Sequence, residues 1–233
     1  MSEKKLERRQ FMTQLAAATG GVVLLPTISA CTTGGQQVRG KMAGANDPGS
    51  LALVTTVPLA KPTSWDPIAF NKARGNAGAI PKSYLPAING PDGVHKHLGK
   101  HLPYLPTIDA SSVPAGMIPI MWGDPQKGNA KHPNAARGPA NNNEGHWYNW
   151  IKIRRAVEGE AEEVTNSYPE WPGTAEQQKD HYIAFGGGEI TADSGTNTIY
   201  LAKLPGDLKA GETVRIYAHC LTHGEYVDFL TIG

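Results

Sequence analysis

The stretch Thr213-Val214-Arg215-Ile216-Tyr217-Ala218-His219-Cys220-Leu221-Thr222-His223-Gly224 decides the reading of this chain. Its first half alternates apolar and polar residues, the period of a half-buried β-strand. Its second half sets a cysteine and a histidine three residues apart, just ahead of a glycine. On a tight turn leaving a strand, such a pair can aim sulfur and imidazole at one point. A thiolate with an imidazole suits iron, zinc or copper rather than magnesium or calcium. A buried free cysteine beside an incidental histidine would give the same octet.

Working outward, Tyr226 to Ile232 reads as the next strand. Upstream, Thr196 to Leu204 alternates, and Pro205-Gly206 and Ala210-Gly211 punctuate. His181 to Phe185 and Glu189 to Thr191 flank the triple glycine that starts at Gly186. That triple lacks the Lys-Ser/Thr and the strand-to-helix setting of a phosphate loop. His146 to Ile153 is aromatic and β-branched. Met117 to Trp122 is a further apolar run, which Pro119 assigns to an edge. Ala156 to Lys179 is polar and acidic with two prolines and reads as a long insertion. Strands spaced by about eight to twelve residues with glycine turns predict an all-β sandwich.

The 233 residues suffice for one core-forming domain plus tails. A formal net charge of +1 argues against a nucleic-acid footprint. With 27 glycines and 18 prolines, and little helical periodicity, the chain is expected to be rich in loops.

Residues 1–31 read as a processing segment. Arg8-Arg9-Gln10-Phe11-Met12 is a twin-arginine pattern, and the apolar run from Leu15 to Leu25 is too short and glycine-broken to span a membrane. Ile28-Ser29-Ala30-Cys31 resembles a lipobox, which makes Cys31 the lipidated residue. The expectation is an exported protein, periplasmic or otherwise extracytoplasmic, held to a membrane through its N-terminal lipid. Residues 32–93 read as tether and irregular extension, with a short strand at Leu51–Thr56 and a short helix near Phe70–Ala77. Residues 94–233 are the domain. The chain has two cysteines, so lipidation of Cys31 leaves Cys220 without an intramolecular partner. A lone thiol in an oxidising compartment calls for something to occupy its sulfur, and a metal would do so.

Four pieces now fall in order: Lys100-His101-x-Pro103, His132-Pro133-Asn134, His146-x-x-x-Trp150-Ile151 and Cys220-x-x-His223-Gly224. Together they resemble the superoxide reductase family, the neelaredoxins and the iron-binding domain of desulfoferrodoxins, from about Val94 to Ile232. The resemblance implies an immunoglobulin-like seven-stranded β-sandwich behind the irregular N-terminal extension. It implies one mononuclear iron, cycling between Fe2+ and Fe3+. His101, His132, His146 and His223 would be its equatorial ligands and Cys220 its axial one. It implies reduction of superoxide to hydrogen peroxide with electrons from an outside donor protein, and Lys100 as the cation beside the reacting anion. The four-cysteine second site of desulfoferrodoxins has no counterpart here, since the cysteines for it are absent.

The sequence departs from the family pattern at Gly99, where many members carry the glutamate that caps the ferric iron. Glu144 is the substitute sixth ligand considered. The alternative function is a non-catalytic iron-binding or electron-transfer lipoprotein with a degenerate domain of this kind. A blue-copper site is disfavoured because no methionine follows Cys220. A structural lipoprotein with incidental histidines is the blandest reading, and a homo-oligomer is compatible with all of them. His95, His97 and His181 are expected on the surface, and His219 on the opposite strand face from Cys220. Trp147, Tyr148 and Trp150 are expected as core and site wall, Trp122 and Trp171 as packing residues.

Overall fold

The computed structural model describes residues 55–233. Arg8-Arg9, Cys31 and all but the last two residues of the strand expected at Leu51–Thr56 lie outside them. Two antiparallel four-stranded sheets make up the β structure. The first runs β1 (Pro103–Tyr104), β2 (Met117–Trp122), β6 (Thr198–Lys203), β5 (Tyr182–Ala184) in spatial order. The second runs β4 (Val164–Ser167), β3 (Tyr148–Arg155), β7 (Thr213–Cys220), β8 (Gly224–Thr231).

The strand alternation builds the core. On β7, Val214, Ile216, Ala218 and Cys220 are buried while Tyr217 and His219 point to the other face. Ile151 and Ile153 of β3 join them, and Ile118, Ile120, Tyr200 and Ala202 come from the first sheet. Each buried side chain of this size contributes about 1.5–3 kcal/mol relative to exposure. Pro119 sits within β2, where β1 reaches only Met121 and Trp122, so the strand is paired on one side there.

Two sequence expectations change. The long insertion contains β4, paired to β3 with Ile151 opposite Asn166, and a helix α3 (Ala175–His181) closed by a Thr174–Gln177 capping box. Glu189–Thr191 forms no strand. The three preceding glycines all take positive φ (76°, 84° and 84°), which turns the chain away from β5, and Ile190 alone of the three is buried.

The segment before residue 94 is helical and packed. Asp66 accepts the Ala69 N–H at 3.0 Å and Pro67 takes the first position of helix α1 (Pro67–Arg74). This strap lies on the outer face of β7 and β8. Asn71 exchanges two hydrogen bonds with the backbone of Val227 (2.7 and 2.8 Å), Trp65 donates to Asp228 at 2.7 Å, and Arg74 pairs with Glu225 at 3.1 Å. Helix α2 (Leu85–Asn89) follows, and Ile80, Ile88 and Leu98 are buried in the same core as the sheets. The core therefore extends ahead of Val94. At Gly224 (φ +84°) a Cβ would stand 2.3 Å from the Ala79 carbonyl oxygen, so only glycine lets this segment close on the β7–β8 turn. No helix among the described residues is long and apolar enough to cross a membrane.

Candidate metal centre

Each candidate ligand is placed by a different local device. His101 ends a 3₁₀ turn (Gly99–His101) just before β1. The His132 backbone N–H donates to the Trp122 carbonyl at 3.0 Å, pinning its loop to the end of β2. His146 forms an isolated bridge with Ala135 through two hydrogen bonds of 2.8 and 2.9 Å. Cys220 is the last residue of β7, and His223 lies in the turn to β8. Thr222 on that turn donates to the Gly145 carbonyl at 2.5 Å, which ties it to the loop carrying His146.

These five side chains meet. One ligand atom from each of His101, His132, His146, Cys220 and His223 lies within 4.8 Å of all the others. The imidazoles form a ring. Neighbouring ring centroids are 5.0 Å (His101–His132), 4.3 Å (His132–His146), 4.6 Å (His146–His223) and 5.0 Å (His223–His101) apart. The His101–His146 diagonal is 6.5 Å. Four near-equal sides and a longer diagonal describe a square; a tetrahedron would make all separations equal. Cys220 Sγ stands 3.7 Å from His132 Nε2 and 3.9 Å from His223 Nδ1, two opposite corners. A point about equidistant from two opposite corners lies near the plane that bisects their diagonal, which contains the axis of the square.

The residues present fit a bound metal. His101 Nε2 and His223 Nδ1 are 3.1 Å apart, close to the separation of two donors at right angles on bonds of about 2.1 Å. The buried nitrogen His146 Nε2 has no hydrogen-bond partner among the described residues. A buried polar atom without a partner costs about 1–3 kcal/mol, and a metal would occupy such a nitrogen facing the centre. Soft sulfur and imidazole donors disfavour magnesium and calcium. Five donors on a square with one axial position differ from the closed tetrahedron of structural zinc.

Electrostatics keep the set ready for a cation. Burial lowers the pKa of His223 to about 2 and of His146 to about 4, and holds His101 and His132 well below the ordinary histidine value. The imidazoles are therefore neutral, with lone pairs free. Burial pushes the Cys220 thiol up to about 12. It becomes a thiolate only in exchange for a metal, which releases that proton. Lys100, half-buried, acts electrostatically on all four imidazoles and on the sulfur. Burial lowers its own pKa.

The surrounding aromatics orient the ligands. His101 Nδ1 meets the His97 carbonyl at 2.5 Å, which fixes Nδ1 as the protonated nitrogen and leaves Nε2 for the centre. Tyr226 stacks on His101 (4.3 Å, 6°), and its hydroxyl donates to the His223 carbonyl. Tyr148 packs against His132 at 4.9 Å and donates to the His101 carbonyl. Tyr84 stacks on His223 (3.9 Å, 23°), and its hydroxyl bonds His97 Nδ1 at 3.1 Å. Sequence reading missed Tyr84, which lies in the supposed irregular extension. Tyr84→Ala is expected to weaken metal binding about 10–100-fold by freeing the His223 ring, and Tyr84→Phe to retain most of the affinity, as read by competition with a chelator.

The remaining expected site residues fall as follows. Glu144 is exposed on the turn before His146 and is not among the five clustered residues. His95, His97, His181 and His219 are outside the cluster as well. His219 faces away from Cys220 and bonds Asn149 at 2.6 Å. Trp147 and Tyr148 are buried, whereas Trp150 lies half-exposed on the outer sheet face.

Gly99 is dictated by space. A Cβ there would meet Asn129 Oδ1 at 2.0 Å and the Val94 carbonyl at 3.0 Å. Asn129 is itself buried, and His95 holds the same oxygen at 3.3 Å. Gly99→Ala is expected to destabilise by about 1–3 kcal/mol, read as a lower denaturant midpoint.

No protein-family model, curated protein or solved structure matches this chain. The reading of the site rests on its own chemistry.

Proposed function

We propose that this protein is a superoxide reductase of the single-iron kind, built on an immunoglobulin-like sandwich, exported by the twin-arginine route and tethered through a lipid on Cys31. The observation that carries the reading is the ring of four imidazoles with one sulfur set against two of its opposite corners. Bound iron would supply the one-electron couple and, with five protein donors, a sixth position for a small anion. Superoxide takes one electron and two protons to become hydrogen peroxide. Since no oxygen is produced, each turnover draws one electron from an outside donor.

The chain's own groups serve this chemistry. Lys100 attracts the anion and stabilises the charge that grows as peroxide forms. The Cys220 sulfur would be held as a thiolate by the bound iron, where it would donate electron density and favour product release. The aromatic wall of Tyr84, Tyr148 and Tyr226 limits water around the ligand rings.

Elemental analysis of the purified protein together with pulsed superoxide tests the reading. One iron per chain, with a ferrous form oxidised at near-diffusional rate, is the expected result. Zinc in place of iron, or a ferrous site indifferent to superoxide, overturns it. Lys100→Ala is expected to keep the metal, slow the superoxide reaction about tenfold at low salt and flatten its salt dependence. Loss of metal in that variant would instead make Lys100 structural.

A further inference from the structure

The strap from Pro58 to Arg74 covers the β7–β8 half of the outer sheet face, through Arg215, Val227, Asp228 and Glu225. Among the described residues, the strap's hydrogen bonds do not extend to the β3–β4 half. There a cleft of about 480 Å³ is lined by Arg137, Trp150, Lys152, Thr165, Ser167 and Leu221, among others. Its floor is two cross-strand pairs, Trp150 with Ser167 and Lys152 with Thr165. Its charged walls are both cationic: Arg137 lies over the Trp147 ring at 5.3 Å and Lys152 over the Trp150 ring at 5.3 Å. No carboxylate lines the cleft, and nearby Glu163 is engaged by Arg215 and Lys152.

The cleft also leads to the centre. Trp150 is the register partner of His219 on β7, and the two rings lie parallel, 5.6 Å apart and tilted by 12°. His219 is bonded through one peptide unit to Cys220, the one sulfur of the cluster. Leu221, on the other side of Cys220, lines the cleft itself.

We propose that this cleft is the docking surface for an acidic one-electron carrier protein, with Trp150, His219 and Cys220 as the route of entry. The inference rests on the redox reading of the site and names the partner's chemistry. In the step, the carrier is oxidised by one electron, the ferric centre is reduced by one, and no bond forms or breaks. Two cations around a half-exposed indole suit a negatively charged face carrying an apolar centre.

The test uses the iron-loaded protein and a reduced two-iron ferredoxin of strongly negative net charge as probe. In the Arg137→Gln/Lys152→Gln variant the second-order rate of reduction of the oxidised centre is expected to fall about tenfold, with a flatter salt dependence. A control of equal net charge, Lys179→Gln/Lys209→Gln, should stay at the wild-type rate, and ascorbate should reduce all three proteins alike. Equal rates for the variant and the control overturn the proposal, as does an equal loss with ascorbate. A second arm follows the Trp150 indole N–H signal during titration with the ferredoxin. That signal reports docking whatever metal the centre holds. An unmoved signal ends the docking proposal alone, whereas a shifted signal on a protein without redox-active metal ends the reductase reading and leaves the docking surface standing.

Discussion

Cys220→Ala is expected to leave a protein that no longer holds one metal per chain. The sulfur is fully buried and sits between two opposite imidazoles of the square, so nothing nearby replaces it. Loss of an outer partner of a ligand costs about 10–100-fold in affinity, and loss of a ligand itself should exceed the upper figure. The effect extends to stability. A metal present at about a thousand times its dissociation constant contributes roughly 4 kcal/mol to the folded state, and the variant forfeits that share. Metal content after gel filtration and thermal melts with and without chelator measure both. A variant that keeps full metal, or a wild type whose melt ignores chelators, would mean that the cluster is no binding site.

The second large effect is acid sensitivity of the metal-free protein. All four clustered imidazoles have folded pKa values below the ordinary 6.5, because burial penalises their charged forms. Below pH 6.5 the unfolded chain takes up protons that the folded one refuses. Stability is therefore complete above about pH 6.5 and falls as pH drops, toward about 4 for His146 and about 2 for His223. At about 1.4 kcal/mol per unit, His146 alone accounts for roughly 3 kcal/mol. The other three rings act in the same direction. Cys220 acts at the other end. Its raised pKa means that the unfolded thiol ionises first, so stability declines as pH climbs past about 9. Denaturant midpoints of chelator-treated protein between pH 8 and pH 4 give the slope. A flat profile from 7 to 5 would contradict the burial of these rings. In the metal-loaded protein the loss should move to lower pH and coincide with metal release.

The sequence was most informative where one physical requirement acts over short range. Strands β6, β7 and β8 follow from alternation, because one sheet face is buried and the period of two cannot be hidden. Cys220 and His223 stood out as a pair by type and spacing, whereas His101, His132 and His146 were singled out through the family resemblance, because nothing in their local sequence separates a ligand from a surface histidine. Strand β4 was not legible: Val164-Thr165-Asn166-Ser167 has a single aliphatic residue, and its pairing is decided by β3. The strap was partly readable, because Asp66-Pro67 is a helix-start signal, yet its burial depends on contacts with Val227 and Asp228 far along the chain. Tyr84 carried no local signal at all. Its role exists only because Gly224 lets residues 79–84 approach His223. Gly99 looked like a missing carboxylate; the crowding at Asn129 makes it a packing requirement.

Cys220 and His223 share one turn, and Thr222 between them is anchored to the loop of His146. Those two donors can grip an ion with almost no chain to organise. His101, His132 and His146 arrive only when both sheets are in place, each closing a long loop against its entropy. Affinity for an ion would thus be a readout of both sheets together. A cavity-forming substitution at Ile118 or Ile216, both buried in the core that the two sheets share, should hasten ion loss before it visibly unfolds the protein.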